Sequence, residues 1–257
     1  MRGIEGSVAI ITGGAQGIGK ATCDLLGTYG AKVVIADIDH VLGRKLEIEL
    51  KGKGVSALYV HTDICNEDSI KNMVTEVVNH YNKIDFLVTS AGRFVFKSID
   101  ATTEEWRYII DGNIIGTALS VKYVVPEMRK NGKGAIVNIS SISGHVAQEN
   151  YLTYNTTKAA VTHMTRCMAM DLANLNIRVN AVNPGTVWTK NNEYYIKKDK
   201  GLNREQADSH PDIGGAHMLK RNAEPEEIAA PIVFLLSDEA SFITAENLMV
   251  DGGYTAK

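Results

Sequence analysis

Residues 12–19 read Thr12-Gly13-Gly14-Ala15-Gln16-Gly17-Ile18-Gly19 and join an apolar run to the beginning of a helical pattern. Glycine permits tight turns and lets a backbone come close to a pyrophosphate. The helix that follows offers free N–H groups and the positive end of its dipole at its N-terminus. This context predicts a turn that binds a dinucleotide, with a glycine-rich turn that has no ligand as the alternative.

Short apolar runs alternate with longer helical patterns along the whole chain. Seven strands are predicted, over Val8–Thr12, Lys32–Ala36, Ser56–Val60, Ile84–Thr89, Gly134–Ser140, Ile177–Asn183 and Asn247–Val250. Helices are predicted over 17–29, 40–53, 67–81, 103–130, 152–174 and 225–236. Several strands are apolar throughout, as in sheets covered on both faces. The alternation predicts an α/β fold over residues 1–257: a single-domain doubly wound parallel sheet, Rossmann-type, with about seven strands and helices on both faces.

Residues 186–224 interrupt this alternation because they carry no strand pattern. The stretch contains the charged run Lys197–Lys200, the pair His210-Pro211 and the pair Gly214-Gly215. A connection of this length inside a compact domain is usually functional or disordered. We expect residues 186–224, here called the lid segment, to cover a substrate pocket. A surface excursion with no role is the alternative.

Composition narrows the classes of function. The chain has 257 residues, of which 44% are hydrophobic and 22% are charged, as in ordinary globular proteins. A net charge of -3 argues against nucleic-acid and anionic-membrane partners. No apolar stretch reaches the ~18 residues of a membrane span, and the histidines lack the spacing of metal ligands. Three cysteines without a CxxC pair are typical of a reducing compartment, so we expect a cytoplasmic protein that binds no metal.

The TGxxxGxG spacing of residues 12–19 resembles that of the short-chain dehydrogenase/reductase family, and the resemblance covers nearly the whole chain. Asp37 ends the second predicted strand, where an acidic residue accepts hydrogen bonds from the adenosine ribose. A 2′-phosphate ~4 Å from this carboxylate would cost roughly 4 kcal/mol at an effective dielectric of ~20. Gln16 is neutral where NADP-preferring relatives often carry arginine. These residues favour NAD as cofactor, although Asp37 as a cap of the next helix is the alternative.

The resemblance implies further contacts with the cofactor. Asp63 matches the residue that holds the adenine amino group, with a cap or turn residue as the alternative, and Ser90 replaces the second asparagine of the family's Asn-Asn-Ala-Gly segment. The turn after the sixth strand would meet the nicotinamide carboxamide. The implied cofactor-binding residues are Gly13, Gln16, Gly17, Ile18, Gly19, Asp37, Asp63, Ile64, Ser90, Ala91, Gly92, Tyr154, Lys158, Pro184, Gly185, Val187 and Thr189.

Tyr154-Asn155-Thr156-Thr157-Lys158 carries the chemistry. Residues four apart project from the same face of a helix. A tyrosine with a pKa of ~10 needs that value brought nearer 7 to act as a general acid and base, a change of ~4 kcal/mol. One cation at ~4 Å supplies about that much at an effective dielectric of ~20. We therefore expect Lys158 to lower the pKa of Tyr154, with the oxidised nicotinamide ring as a second positive charge.

Two more residues complete the predicted catalytic set of Asn113, Ser141, Tyr154 and Lys158. Ser141 stands at the end of a strand, where open α/β sheets bind ligands, and its hydroxyl would hold the substrate oxygen. Ser140 is the rival for this role. The resemblance implies that Asn113 positions a water for proton relay, and an asparagine that satisfies a helix kink is the alternative.

The sequence identifies the residues of the substrate pocket less well than those of the cofactor site. His145, Gln148, Arg93 and Trp188 are candidate substrate contacts, with surface or core positions as the alternative; Glu149, Asn150 and Phe94 are nearby candidates. The polar residues of the loop after Ser141 favour a polyol, a sugar or a hydroxylated ring as the substrate, which would be oxidised to a ketone or lactone. Steroids and simple cyclic alcohols are alternative substrates. A non-redox epimerase or lyase of the same fold, or a catalytically silent NAD-binding scaffold, is the competing function.

The resemblance also implies an oligomer. In relatives, the two long helices that correspond to 103–130 and 152–174 pack against symmetry mates. We therefore expect a homotetramer.

Overall fold

The computed structural model describes residues 1–257 and contains one sheet of seven parallel strands. Their order is β3-β2-β1-β4-β5-β6-β7. The strands are β1 Val8–Thr12, β2 Lys32–Asp37, β3 Ala57–His61, β4 Phe86–Thr89, β5 Gly134–Ile139, β6 Ile177–Pro184 and β7 Asn247–Val250. The chain starts at β1, builds outward to β3, and then returns to the other side of β1 with β4. The crevice at this reversal is where open α/β sheets bind ligands.

Nine α-helices join and cover these strands. They are α1 Gly17–Thr28, α2 His40–Gly52, α3 Glu67–Tyr81, α4 Thr103–Ile110, α5 Thr117–Lys130, α6 Leu152–Leu172, α7 Lys190–Lys200, α8 Arg204–Ser209 and α9 Pro225–Leu236. The helix predicted over 103–130 is divided, since a π-helical segment over Asp111–Gly116 separates α4 from α5. None of the helices combines the length and the apolar character that crossing a membrane requires.

Apolar side chains cover both faces of the sheet. Along β1, Ala9 and Ile11 join one buried cluster, which includes residues of α1, α2 and α9. Val8 and Ile10 point the other way and join a second cluster with residues of α3, α5 and α6. Alternate residues of a strand face opposite sides, so a strand buried on both sides must be apolar throughout. This explains why continuous apolar runs in the sequence predict these strands.

The lid segment leaves the sheet after β6. It contains α7, α8 and a 3-10 turn over Gly214–Ala216. Val187 near its beginning and Ala223 near its end form an isolated parallel bridge. The two ends of the excursion are therefore held together beside the C-terminal end of β6.

Candidate active site

The glycine turn after β1 is packed too closely for side chains. Gly13 has a φ of +65°, and a Cβ atom there would lie 2.7 Å from the Cα atom of Ala91. A Cβ atom at Gly19 would collide with the carbonyl oxygen of Gly13. Gln16 precedes α1 without capping it through its side chain, and the first turn holds no acidic residue. The turn is therefore a backbone cradle at an uncapped helix N-terminus, which suits a pyrophosphate.

Asp37 lies beside this turn and is 7% exposed. One carboxylate oxygen accepts a hydrogen bond from the N–H of Ala15 at 2.9 Å, and the other accepts from the N–H of Asp39 at 2.9 Å. The helix α2 is capped by Asp39, whose side chain accepts from the N–H of Leu42. Asp37 is thus not the cap of α2, and it places a negative charge against the glycine turn.

Asp63 follows β3 and closes a tight turn, because its Oδ1 accepts from the N–H of Cys65 at 2.9 Å. The cap of α3 is Asn66, which accepts from two N–H groups of the first helical turn. Ile64 is buried next to Asp63. Its carbonyl oxygen would lie 2.8 Å from a Cβ atom at Gly116, so the turn packs directly on the π-helical segment.

The segment after β4 lies against the glycine turn. The N–H of Ser90 donates to the carbonyl oxygen of Thr12 at 3.2 Å, and the N–H of Ala91 donates to the Thr12 hydroxyl at 3.3 Å. A Cβ atom at Gly92 would lie 3.3 Å from Oδ1 of Asn113. Small residues therefore allow the backbone of this segment to approach the glycine turn and Asn113 closely.

The segment after β6 faces the glycine turn from the opposite side. A Cβ atom at Gly17 would lie 3.3 Å from the methyl group of Thr189. The Thr189 hydroxyl caps α7 by accepting from the N–H of Asn192 at 3.2 Å, and Val187 is buried. Pro184 ends β6, and Gly185 follows it. The predicted cofactor-binding segments thus surround one crevice.

His217 is a residue that the sequence analysis missed. It is 2% exposed, and its Nε2 accepts from the N–H of Thr186 at 3.1 Å. Its Nδ1 lies 3.0 Å from the carbonyl oxygen of Ile213 and must carry the proton, since a carbonyl only accepts. The neutral ring therefore ties the turn after β6 to the lid segment. A single histidine in a polar stretch gave no signal of this contact.

Tyr154 and Lys158 project from the first turns of α6 toward the end of β5. The Lys158 ammonium donates to the carbonyl oxygen of Ile139 at 2.9 Å and lies 5.6 Å from the centre of the Tyr154 ring. Ser141 follows β5, and its hydroxyl accepts from the N–H of Ser143 at 3.1 Å. The structure thus brings the predicted serine, tyrosine and lysine together.

Burial shifts the ionisation of this pair. It raises the pKa of Tyr154 above its ordinary value, and a hydrogen bond with Ser141 opposes that rise. Burial also lowers the pKa of Lys158 to about 8. The expected lowering of the Tyr154 pKa by Lys158 is therefore not found: desolvation of the phenolate is the largest influence on this pKa, and the Lys158 ammonium is bound to the carbonyl oxygen of Ile139.

Ser140 and Ser141 have different surroundings. The Ser140 hydroxyl donates to the carbonyl oxygen of Lys158 at 2.8 Å and lies 2.9 Å from the Thr162 hydroxyl. It therefore holds α6 against β5. Ser141 instead lies close enough to Tyr154 to influence its pKa, so of the two serines only Ser141 is placed beside the tyrosine.

Asn113 lies in the π-helical segment and is 2% exposed. Its Oδ1 accepts from the N–H of Arg93 at 2.7 Å, and its Nδ2 donates to the carbonyl oxygen of Arg93 at 3.0 Å. The same Nδ2 donates to the Thr157 hydroxyl at 3.1 Å. Asn113 therefore connects the loop after β4 to α6 through the π-helical segment.

The candidate substrate residues are largely engaged within the protein. His145 is exposed and its Nε2 lies 3.1 Å from Oδ1 of Asn183, whereas Gln148 accepts from the Ser143 hydroxyl at 2.6 Å. The Arg93 guanidinium lies 4.1 Å from the centre of the Tyr108 ring. Trp188 lies under the guanidinium of Arg204 at 5.5 Å. Two further candidates, Glu149 and Asn150, are exposed.

Aromatic side chains surround Tyr154. The ring of Phe94 stacks on Tyr154 with centroids 5.5 Å apart, and the ring of Phe96 meets it edge-on at 5.3 Å. Phe96 also contacts Tyr151 at 4.5 Å and Tyr195 at 5.4 Å. We call these five residues the aromatic cluster. They come from the loop after β4, the beginning of α6 and the lid segment, and only Phe94 and Tyr154 were candidates from sequence.

Comparison with known proteins identifies the family of the chain. A family model described as enoyl-(acyl carrier protein) reductase matches residues 13–255. Cyclopentanol dehydrogenase of Comamonas testosteroni is 36% identical over 98% of this chain and 98% of its own. Trans-4-hydroxycyclohexanecarboxylate dehydrogenase of Sinomonas cyclohexanicum is 40% identical over 97% of this chain and 93% of its own. L-fucose dehydrogenase of Mus musculus is 35% identical over 97% and 88%.

A solved structure gives the same result for the fold. The crystal structure of gox2181 matches with a TM-score of 0.90 at 32% identity, over 98% of this chain and 97% of that one. The chain belongs to the short-chain dehydrogenase/reductase family. The predicted family, Rossmann-type fold and oxidoreductase class are thereby confirmed.

Proposed function

We propose that this chain is an NAD-dependent dehydrogenase that oxidises a secondary alcohol of a ring, sugar or polyol to the ketone or lactone. The observation that carries the proposal is the convergence of Ser141, Tyr154 and Lys158 after β5, at the same edge of the parallel sheet as the glycine turn after β1. The names of the relatives, which include dehydrogenases of cyclopentanol and L-fucose, support it. All three relatives are oxidoreductases, so nothing favours an epimerase, a lyase or a silent scaffold.

The residues of the chain divide the reaction between them. Nicotinamide, when bound, supplies the acceptor for the hydride that leaves the alcohol carbon. Ser141 donates a hydrogen bond to the substrate oxygen, and the Tyr154 phenolate removes the hydroxyl proton. Burial disfavours that phenolate, so the Lys158 ammonium would stabilise it only together with the positive charge that oxidised nicotinamide supplies when bound. The Lys158 pKa of about 8 lets this group exchange a proton near neutral pH. Asn113 holds α6 against the loop after β4 through its hydrogen bonds with Thr157 and Arg93. By the family resemblance, it also positions the water that relays the proton from Lys158.

The cofactor preference rests on Asp37. A 2′-phosphate near this carboxylate would be disfavoured by about 4 kcal/mol at an effective dielectric of ~20, which corresponds to roughly a thousandfold. We expect kcat/KM with NAD to exceed that with NADP by about two to three orders of magnitude. Asp37→Asn should reduce this ratio, whereas Asp68→Asn, at an exposed position on α3, should leave it unchanged. An equal or better kcat/KM with NADP would contradict the assignment.

The remaining cofactor-binding residues are proposed to line the crevice beside the glycine turn. Gly13, Gln16, Gly17, Ile18 and Gly19 would hold the pyrophosphate, and Asp63 and Ile64 the adenine. Ser90, Ala91, Gly92, Tyr154 and Lys158 would line the nicotinamide ribose, with Pro184, Gly185, Val187 and Thr189 at the carboxamide.

We also propose a homotetramer. Large apolar side chains are exposed on the helices expected to pair with other subunits: Tyr108 at 49%, Ile115 at 44% and Met170 at 79%. Apolar side chains of this kind mark a protein interface where they form a contiguous patch. Light scattering should give four times the 28.0 kDa of one chain. Met170→Glu should lower that mass, whereas a monomeric mass for the unmodified protein would exclude the tetramer.

Residues 1–257 would then act as one catalytic domain with the lid segment over its pocket. We place the enzyme in the cytoplasm, because three free thiols, one of them exposed at Cys167, suit a reducing compartment. Its partner would be a small alcohol or ketone, with no role for nucleic acid, membrane or metal.

A further inference from the structure

The aromatic cluster is open rather than buried. Phe94, Phe96, Tyr151, Tyr154 and Tyr195 touch one another, yet each keeps part of its surface exposed. Rings that serve only to fill a core are normally closed off from solvent. These rings instead present apolar surface around the ring of Tyr154, whose oxygen would take the substrate proton.

Two polar side chains of the neighbouring loop already have partners within the protein. Gln148 accepts from Ser143, and the ring of His145 lies 3.1 Å from the side chain of Asn183. A polyol bound beside Tyr154 would turn its extra hydroxyls toward aromatic faces. Hydroxyls removed from water without a new partner cost free energy, whereas apolar ring surface gains it.

Tyr195 is the member of the cluster that the lid segment supplies. It lies on α7, and its ring is 5.4 Å from Phe96 and 6.3 Å from Phe94. The lid segment thus adds an aromatic face to the wall built by the loop after β4. A flat or chair-shaped carbon ring has the shape to lie against such faces, whereas an open chain of hydroxylated carbons does not.

We propose that Tyr195, together with Phe94 and Phe96, determines the substrate by forming an aromatic wall that accepts an apolar ring bearing the secondary alcohol. This inference rests on the proposed dehydrogenase function and narrows its substrate class. Tyr195 is a specificity-determining residue and not a catalytic one, because Tyr154, Ser141 and Lys158 hold the reacting groups. The polar candidates that favoured polyols and sugars are secondary to this wall.

The test compares NAD reduction on cyclohexanol, L-fucose and xylitol. The unmodified enzyme should show a kcat/KM for cyclohexanol at least tenfold above that for the other two. Tyr195→Ala should raise KM for cyclohexanol by roughly tenfold, the size of an aromatic packing contact, with little change in kcat. Its effect on xylitol should be less than about twofold, within the scatter of a lost surface contact.

Two matched variants separate specificity from folding. Tyr195→Phe keeps the ring and should retain the KM for cyclohexanol, whereas Lys197→Ala changes the exposed side of the same helix and should leave all three substrates unaffected. A kcat/KM of the unmodified enzyme that is higher for xylitol or L-fucose than for cyclohexanol would overturn the aromatic wall. An equal loss of kcat/KM on all three substrates in Tyr195→Ala would overturn it as well. Either result leaves the dehydrogenase assignment standing. Failure to oxidise any alcohol overturns both.

Discussion

Replacing Tyr154 by phenylalanine is expected to lower kcat by about two to four orders of magnitude, the usual contribution of a positioned acid or base. The change removes one oxygen, while the ring keeps its stacking on Phe94 and its edge contact with Phe96. NAD affinity should change little, because the glycine turn and Asp37 are untouched. The kcat is measured by NAD reduction, and NAD affinity by calorimetry.

The matched control is Tyr29→Phe, which makes the same chemical change at an exposed position beyond the end of α1. It should leave both kcat and the affinity for NAD unchanged. Turnover of the Tyr154→Phe enzyme within a fewfold of the unmodified rate would show that another group moves the proton. The proposed role of Lys158 would then also fail, since Lys158 acts through this phenol.

The elements of the fold were predictable because burial on two faces forces a simple pattern. Strands β1 and β7 have the predicted bounds, and the end of β2 differs by one residue, Asp37. The sequence analysis considered a helix kink at Asn113 only as an alternative and predicted one helix where the structure has α4 and α5. The residues around Asn113 keep a helical pattern, and the π-helical segment accompanies contacts with Arg93 and Thr157, which are distant in sequence.

The site was predictable only where its residues are close in sequence. Tyr154 and Lys158 share one helix, so their spacing reveals them. The aromatic cluster joins Phe96, Tyr151 and Tyr195 from separate segments, and no spacing connects these. The direction of the Tyr154 pKa shift also escaped the sequence argument, because a distance between two residues says nothing about the cost of burying both.

Replacing Lys158 by methionine should nearly abolish turnover and yet stabilise the fold. Lys158 is 8% exposed, and burial lowers its pKa from the ordinary 10.5 to about 8. Below pH 8 the side chain is charged in both states, so the folded state bears the full desolvation cost. A shift of about 2.5 units corresponds to roughly 3 kcal/mol. The lost hydrogen bond to Ile139 offsets about 1 kcal/mol of the gain.

The sign of the pH dependence gives a second check on the Lys158→Met enzyme. Between about pH 8 and 10.5 the unfolded chain binds a proton at Lys158 that the folded chain lacks, so the stability of the unmodified protein rises with pH. Urea unfolding should therefore show the variant more stable by about 1–3 kcal/mol at pH 7, with the advantage gone near pH 10.5. Lys45→Met, at an exposed position on α2, should show neither effect. A variant less stable than the unmodified protein at pH 7 would mean that Lys158 is not held at a desolvation cost, and its ease of proton exchange near neutral pH would lose its physical basis.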